Sequence, residues 1–253
     1  TASDDDGGLQ TIMAHNGKSS TFLVKEGENG KWVTRQGKQP STNVWSSKKD
    51  YPGSARNDAT AFGLSDKGYL GSGYDGNYLK DFYCYDPQTD TWEQIVSLGG
   101  SKRRGAACFV INDIAYVCAG FNNGEYVKDF WKYDPSQKRW IQLRDITDTS
   151  DATYDNKYNS ITRIYGVAFV IDGQAYLTCG RAPDLRSNTW KYSPTNDLWE
   201  EVAKFKGAPR TATASFSNGD KGFIVTGRSN NYRFDDIWEL HPYEYDDDNY
   251  ENN

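Results

Sequence analysis

The chain has 253 residues, a formal net charge of -6 and 25% charged residues. Its Lys and Arg are dispersed, which argues against nucleic-acid binding, because phosphate contacts need a basic stripe. No apolar run approaches the ~20 residues that span a bilayer. The chain is rich in Gly (24), Tyr (18) and Trp (8), a composition that favours short strands joined by polar turns. We therefore expect an all-β protein.

Both ends of the chain are polar and acidic. We predict a flexible acidic tether over residues 1–19 and a disordered acidic tail over residues 243–253. A Ca²⁺ site in the tail is the alternative, and a frayed terminus is the favoured interpretation. No signal peptide is present, and the sequence begins at Thr1 with Met13 as its only Met. We interpret it as the mature or trimmed form of an exported precursor.

The cysteines do not form a metal-binding motif. Four occur, at Cys84, Cys108, Cys118 and Cys179. None is in a CxxC pair and only two histidines could join them, so we expect neither a metal nor a cofactor. A two-residue turn at Asn112-Asp113 would place Cys108 opposite Val117 and Cys118 on the other face of the sheet. We expect free, buried thiols.

Several landmarks recur along the chain with a period of roughly fifty residues, which indicates a repeat protein. The aromatic motif recurs as Asp81–Pro87, Asp129–Pro135, Asn188–Pro194 and Asp236–Pro242. The same spacing holds for glycines (Gly73, Gly120, Gly180, Gly227), for arginines (Arg56, Arg104, Arg163, Arg210) and for tryptophans (Trp45, Trp92, Trp140, Trp199).

The third repeat is longer because of an insertion around residues 145–160, which we predict to be a loop. Loops of this length are often functional, and this one is expected to wall a pocket or contact a partner. A Ca²⁺ loop through Asp148, Asp151 and Asp155 is a weaker hypothesis, because the segment lacks the Gly and bidentate Glu of an EF-hand.

Each repeat is predicted to contain four strands in an antiparallel meander. In the second repeat they are Gly105–Ile111, Ile114–Gly120, Lys128–Tyr133 and Arg139–Ile141. One meander cannot bury both of its faces, so several should pack face to face around an axis as the blades of a β-propeller. The repeated Tyr and Trp are then core residues between blades, with a Trp-lined groove restricted to one or two positions.

The strand that ends in glycine, followed by an aromatic residue and then Tyr-Asp-Pro and Trp, resembles the kelch motif. The segments Trp45–Arg56 and Gly68–Asn77 resemble kelch-repeat, galactose-oxidase-like propeller lipoproteins exported by Bacteroidota, and the match covers residues 43–242. The Gly-Gly of the motif is altered here, for example to Ser72-Gly73. The resemblance implies an N-terminal lipid anchor and an outer-membrane or cell-surface location, with the periplasm as the alternative.

The blade count follows from where the repeat starts. The chain enters with a strand at Trp45 and leaves after a third strand at Trp238, so the N-terminal strand is predicted to complete the last blade. This gives a kelch-type β-propeller of four blades, with five as the alternative. Residues 20–42 are predicted to form an accessory β-hairpin, and the alternative is half of a degenerate fifth blade.

The candidate ligand site lies at one mouth of the central channel. In a meander, the loop entering the first strand and the loop joining strands two and three share one end of the blade. The candidate ligand-binding residues are Arg56, Tyr74, Arg104, Phe121, Arg163, Arg181, Arg210 and Arg228. Arginine suits carboxylate or phosphate, and aromatics suit sugar rings. The alternative is structural, in which the arginines pair with the recurring Asp81, Asp129 and Asp236.

A catalytic role is not expected. The oxidase chemistry suggested by the resemblance needs histidine and tyrosine copper ligands, whereas His15 and His241 both lie near the termini. No serine-nucleophile or phosphate-binding motif occurs. We predict a monomeric, non-catalytic binding module for a glycan or anionic sugar, without a nucleic-acid partner and attached to membranes only through a lipid anchor. The alternatives are a protein–protein interaction platform and a sugar-modifying enzyme of kelch type.

Overall fold

The computed structural model describes residues 46–244 in full, together with the backbone of three earlier strands. These strands are β1 (Thr11–His15), β2 (Ser20–Lys25) and β3 (Trp32–Gly37), which form an antiparallel sheet in the order β1-β2-β3. The strands β2 and β3 pair with each other and lie within residues 20–42. The strand β1 lies within the stretch predicted to be a tether. Residues 1–48 form one compact unit and residues 49–253 form another.

The second unit consists of four antiparallel sheets, which are the blades of a β-propeller. Blade 1 contains β4 (Thr60–Leu64), β5 (Lys67–Gly71), β6 (Phe82–Asp86) and β7 (Thr91–Ile95). Blade 2 contains β8 (Ala107–Ile111) and β9 (Ile114–Cys118), a small hairpin of β10 (Phe121–Asn122) and β11 (Glu125–Tyr126), and then β12 (Phe130–Asp134) and β13 (Arg139–Gln142). Blade 3 contains β14 (Val167–Ile171), β15 (Gln174–Thr178), β16 (Thr189–Ser193) and β17 (Leu198–Val202). Blade 4 contains β18 (Ala214–Ser217), β19 (Gly222–Val225) and β20 (Ile237–Leu240).

The predicted all-β propeller of four blades is confirmed, and the described residues contain no helix and hence none that could span a membrane. Blades 1 to 3 are four-stranded, and blade 4 has three described strands. The strand predicted around Trp45 to complete blade 4 lies outside the described residues.

Tight turns fix the register within each blade. Asn112 and Asp113 have φ angles of 50° and 58°, the left-handed pair that a type I′ hairpin requires. The turn places Cys108 opposite Val117, as the sequence predicts. All four cysteines are free thiols; three are buried and Cys108 is partly buried.

Aromatic side chains fill the wedges between blades. The first two strands of every blade carry a pair of stacked rings, 4.9 to 5.8 Å apart, at Phe62–Tyr69, Phe109–Tyr116, Phe169–Tyr176 and Phe216–Phe223. In blade 2 this pair packs against Tyr192 of blade 3, with ring centroids 5.9 and 5.6 Å apart. Burial of such rings stabilises the contacts between blades.

Consecutive blades are also joined by hydrogen bonds near the axis. The N–H groups of Gly73, Gly120 and Gly180 each donate to the carbonyl of the arginine that opens the next blade, at 2.7 to 2.8 Å. Gly227 of blade 4 makes no such bond within the described residues. The inner strands β4, β8, β14 and β18 contact one another in that order, whereas β4 and β18 are not in contact. The described residues therefore contain three contacts between consecutive blades, which join blades 1 and 2, blades 2 and 3, and blades 3 and 4.

The insertion around residues 145–160 is anchored by two side chains. The buried Asp155 carboxylate accepts hydrogen bonds from the N–H groups of Thr149 and Ser150 at 3.2 and 3.0 Å. Tyr158 is also buried, and its hydroxyl accepts the N–H of Trp199 in β17 at 2.6 Å. The insertion therefore packs on the outer part of blade 3. Within residues 46–244, no three His, Cys, Asp or Glu side chains are placed to share a metal ion.

Candidate ligand-binding site at the channel mouth

Short backbone bridges bring the two predicted loops of each blade together. Tyr74, which follows the repeat glycine of blade 1, exchanges hydrogen bonds with Asn57, which precedes the first strand, at 3.0 and 2.9 Å. Phe121 and Arg104 form the same bridge in blade 2. Corresponding bridges in blades 3 and 4 involve Arg181 and Arg228. All these residues therefore line one end of the propeller.

Repeat arginines are largely committed to contacts within the protein. The guanidinium of Arg210 is buried and forms a bidentate pair with Asp236, in which Nη2 lies 2.8 Å from Oδ2. This pairing lowers the pKa of Asp236 to about 2. Arg56 forms the same pair with Asp81, at 2.7 and 2.8 Å. These contacts favour the structural alternative for Arg56 and Arg210.

In blade 2 the repeat position belongs to Arg103, and the sequence alignment on Arg104 is wrong by one residue. Arg103 is buried, pairs with Asp129 and donates to the carbonyl of Ala119. The adjacent Arg104 points the other way, because side chains of neighbouring residues in extended backbone alternate between faces. Arg104 therefore does not take part in the pairing with aspartate that Arg103 forms.

Arg163 of blade 3 is a buried arginine that faces an amide instead of a carboxylate. Its guanidinium donates to Asn188 Oδ1 at 3.0 Å and to the carbonyls of Ile161 and Cys179 at 2.9 Å. Burial, together with the nearby charge of Arg186, lowers the pKa of Arg163 to about 10. The group stays protonated at neutral pH, and its contacts favour a structural role.

A tyrosine and an aspartate meet across the channel mouth. The hydroxyl of Tyr165 in blade 3 donates to Asp58 Oδ2 of blade 1 at 2.8 Å. Their backbones are joined through Gly105 of blade 2, whose N–H donates to Asp58 and whose carbonyl accepts from Tyr165, both at 3.0 Å. A Cβ on Gly105 would lie 2.7 Å from the Tyr165 ring. Glycine is therefore required for the tyrosine to cross to blade 1.

Arg104 lies among aromatic rings at the same mouth. Its guanidinium carbon is 4.9 Å from the ring centroid of Tyr74 and 5.8 Å from that of Tyr78. Phe121 lies 6.3 Å from Tyr78 and extends the aromatic surface. Within the described residues, Arg104 makes no ion pair and its buried Nε has no hydrogen-bond partner. The site thus presents a cation and ring faces, and no carboxylate of the described residues forms an ion pair with that cation.

Two further arginines of the predicted set lie at the same end of the propeller. Arg181 and Arg228 are exposed, and the only bond of an Arg181 side-chain nitrogen within residues 46–244 goes to the carbonyl of Pro183 at 3.1 Å. Burial and Asp58 raise the pKa of Tyr165. The positive charges of Arg104 and Arg228 have a smaller effect in the opposite direction. Arg104 and Arg228 therefore both lie near Tyr165.

Of the eight predicted residues, five line the mouth, and the side chains of the other three, Arg56, Arg163 and Arg210, bond within their own blades. The five are Tyr74, Arg104, Phe121, Arg181 and Arg228. Sequence reasoning missed Tyr165, Asp58 and Tyr78. Asp58 and Tyr165 each follow a repeat arginine by two positions, as Gly105 does in blade 2. All three of these residues have a positive φ. The sequence contains this shared position, but aligning the repeat on Arg104 instead of Arg103 prevented its recognition.

Comparison with known proteins agrees with the propeller fold. A model of the Kelch motif matches residues 73–99 and 102–146. The chain folds as a β-propeller, and kelch motifs occur in two of its blades. It is similar to the solved structure of YjhT, with 16% sequence identity, a TM-score of 0.57, and coverage of 87% of this chain and 73% of that one. At that identity the likeness shows the fold alone. No curated protein matches the chain.

Proposed function

We propose that the protein is a non-catalytic binding module that holds an anionic sugar or glycan at the channel mouth. The observation that carries the proposal is the environment of Arg104. Its guanidinium lies over the rings of Tyr74 and Tyr78 and forms no ion pair with a carboxylate of the described residues. A stacked, unpaired arginine is well suited to a carboxylate or sulfate group, and the adjacent rings suit the apolar face of a sugar.

Tyr165 and Asp58 add hydrogen-bonding groups to this site. Burial and the bond to Asp58 raise the pKa of Tyr165, so its hydroxyl remains protonated at neutral pH. A protonated tyrosine and a carboxylate offer a donor and an acceptor to sugar hydroxyls. These groups support recognition of a polyhydroxylated anion more than recognition of a simple inorganic ion.

A glycan array that includes sialylated, sulfated and neutral sugars tests this proposal. We compare the wild type with an Arg104→Ala/Arg228→Ala double variant and with Arg139→Ala, a control that removes an exposed arginine from β13. Each lost charge-assisted hydrogen bond is worth about 1.5–3 kcal/mol, so the double variant should bind acidic sugars at least ~10-fold more weakly. Arg139→Ala should bind like the wild type.

Two results would refute the anionic-sugar site. One is unchanged binding in a correctly folded double variant. The other is a folded wild type that binds no sugar on the array, which would favour a protein ligand. Affinity that falls as salt concentration rises would support the role of the arginines, because exposed charges are screened.

A protein-interaction platform is the second candidate function, and exposed apolar side chains on blade 4 favour it. Phe216 is 50% exposed and Ile237 is 59% exposed. The proposed location follows from the lipoprotein resemblance alone and is the outer membrane or cell surface of an exporting bacterium, or its periplasm.

A further inference from the structure

Each blade carries a small hairpin between its second and third strands, at the channel mouth. One pair of directly opposite residues marks each hairpin. From blade 1 to blade 4 these pairs are Tyr74–Tyr78, Phe121–Tyr126, Arg181–Leu185 and Arg228–Arg233. Opposite residues of an antiparallel pair project to the same face, so the two side chains of each pair stand side by side. The four pairs therefore occupy equivalent positions around the mouth.

Blades 1 and 2 use this position for aromatic contacts. The ring centroids of Tyr74 and Tyr78 are 5.1 Å apart, and those of Phe121 and Tyr126 are 5.2 Å apart. A contact of 6.3 Å between Tyr78 and Phe121 joins the two pairs. This half of the mouth therefore offers ring faces to a ligand.

Blade 4 places two cations at the same position, Arg228 and Arg233, which we call the arginine pair. The carbonyls of Gly227 and Tyr232, next to the pair, each accept an N–H from the opposite strand at 2.9 Å. Hydrogen bonds that flank two residues in this way make them a non-hydrogen-bonded pair, in which side chains approach each other most closely. Like charges directly opposite one another are unfavourable in a sheet. The pair is therefore a local source of repulsion.

Nothing in the described part of the chain neutralises this repulsion. Arg228 and Arg233 are both exposed, and neither forms an ion pair within residues 46–244. By contrast, the buried Arg210 of the same blade pairs with Asp236 at 2.8 Å. A position that breaks a local rule without an internal compensation is typical of a functional site. The arginine pair is therefore suited to an anion from outside the propeller.

A buried hydroxyl next to the pair also lacks a partner. Thr211 stands opposite Arg228 in the same short ladder. It is 7% exposed, and its hydroxyl makes no hydrogen bond within the described residues. Most buried polar groups in proteins are hydrogen-bonded, and an exception calls for a missing partner. Thr211 is thus a second incomplete polar group on the face of the arginine pair.

The described chain enters and leaves the propeller at the end opposite the arginine pair. The N–H of Lys49 donates to Asp90 Oδ1 at 3.0 Å, in the turn between β6 and β7. The hydroxyl of Tyr243 donates to Asp172, in the turn between β14 and β15. Both turns join strands at the end of the blades away from the mouth. The arginine pair is thus presented at the free end of the propeller.

We propose that the arginine pair binds a second acidic group of the ligand, which makes the glycan at the mouth an acidic oligosaccharide with two acidic groups on neighbouring sugars. This inference rests on the proposed function, in which Arg104 binds the first acidic group. Arg104 and Arg228 both lie near Tyr165, so one short oligosaccharide can reach both cations. Two adjacent guanidinium groups offer planar sets of donors that match a sulfate or a carboxylate.

Two disaccharides prepared from chondroitin provide the probe. The unsulfated form carries one carboxylate, and the 6-sulfated form adds a sulfate on the second sugar. The pair therefore differs only in the second acidic group. We measure their binding to the full chain by isothermal titration calorimetry. The wild type should bind the sulfated form at least ~10-fold more tightly, because charge-assisted hydrogen bonds to the second group are added.

Three variants locate the second acidic group. Arg233→Ala should weaken binding of the sulfated disaccharide at least ~10-fold more than binding of the unsulfated one. Arg104→Ala should weaken binding of both, since both carry the first acidic group. Arg139→Ala is the matched control, because it removes an exposed arginine from β13, and it should bind both disaccharides like the wild type. Circular dichroism and thermal melts establish that all three variants fold.

The failure of this inference can be told apart from the failure of the proposed function. If Arg104→Ala weakens both disaccharides while Arg233→Ala keeps the wild-type preference for the sulfated form, the proposed function stands and the arginine pair is not a binding site. Equal losses in Arg233→Ala and Arg139→Ala would also overturn the inference, because only overall charge would then matter. Unchanged binding in Arg104→Ala would refute the proposed function, and the inference with it.

Discussion

Arginine has two different uses in this propeller, and the neighbouring groups decide which. Arg210 is fully buried, and its donors are satisfied by Asp236 and by the carbonyls of Ala208 and Thr226. Arg228, on the same blade, is exposed and makes no ion pair within the described residues. The first holds the entry loop to the third strand, while the second is available to a ligand.

Arg210→Ala should therefore destabilise the protein far more than Arg228→Ala. Removal of Arg210 leaves the Ala208 and Thr226 carbonyls and Asp236 Oδ1 without this donor, while the Trp238 indole still donates to Asp236 Oδ2. We expect a loss of at least about 2 kcal/mol in the free energy of unfolding. Arg228→Ala removes an exposed side chain and should change that free energy by no more than ~0.5 kcal/mol. Urea denaturation of both variants measures the difference, and equal midpoints would contradict it.

At the scale of the strand and its turns, two glycines with similar backbone angles have different reasons to be glycine. Gly173 closes the hairpin of β14 and β15 with a φ of 71°, and a Cβ there would meet nothing within 4 Å. Gly180 follows β15 with a φ of 81°, and its Cβ would lie 2.6 Å from the Gly166 nitrogen. Gly173 is required only because of its positive φ, whereas Gly180 is required also because there is no room for a Cβ.

We expect Gly180→Ala to be the more damaging of the two substitutions. Gly173→Ala should cost about 1 kcal/mol, since an L-residue is strained in a left-handed turn. Gly180→Ala adds a backbone clash and displaces the N–H that bonds to the next blade, so we expect about 3 kcal/mol or more. Thermal unfolding of the two proteins compares them. Similar melting temperatures would mean that the close approach at Gly180 is relaxed in solution.

At the scale of the whole propeller, the stacked aromatic pair is the unit that joins one blade to the next. Phe109 is 5% exposed because blade 3 covers it, and Phe216, at the same place in blade 4, is 50% exposed. Each of the two rings stacks on an aromatic ring of the neighbouring strand. What differs is that blade 3 covers Phe109, whereas no blade of the described residues covers Phe216.

This contrast predicts unequal costs for the same truncation. Phe109→Ala should lower the free energy of unfolding by about 3–5 kcal/mol, as for other buried phenylalanines. Phe216→Ala should lower it by only ~1 kcal/mol, because half of the ring is already in water. Chemical denaturation at several protein concentrations checks both values. A loss at Phe216 as large as that at Phe109 would mean that this face is covered in solution.

The sequence by itself determined the fold class, the repeat and the hairpin registers. Each is set by local chemistry: Asn112-Asp113 adopts left-handed angles readily, alternation assigns Phe109 to one face, and the fifty-residue spacing repeats the meander. These features do not depend on contacts between distant parts of the chain, so a linear pattern carries them.

Only the tertiary structure decided which residues form the site. Arg103 and Arg104 are adjacent in sequence and both fit the repeat spacing, and only the position of Asp129 shows which one is buried. Tyr165 reaches Asp58 across more than one hundred residues because Gly105 leaves room between them. Such contacts depend on how three blades are placed around the axis, and that placement results from aromatic packing between blades, which the spacing of residues within one blade does not encode.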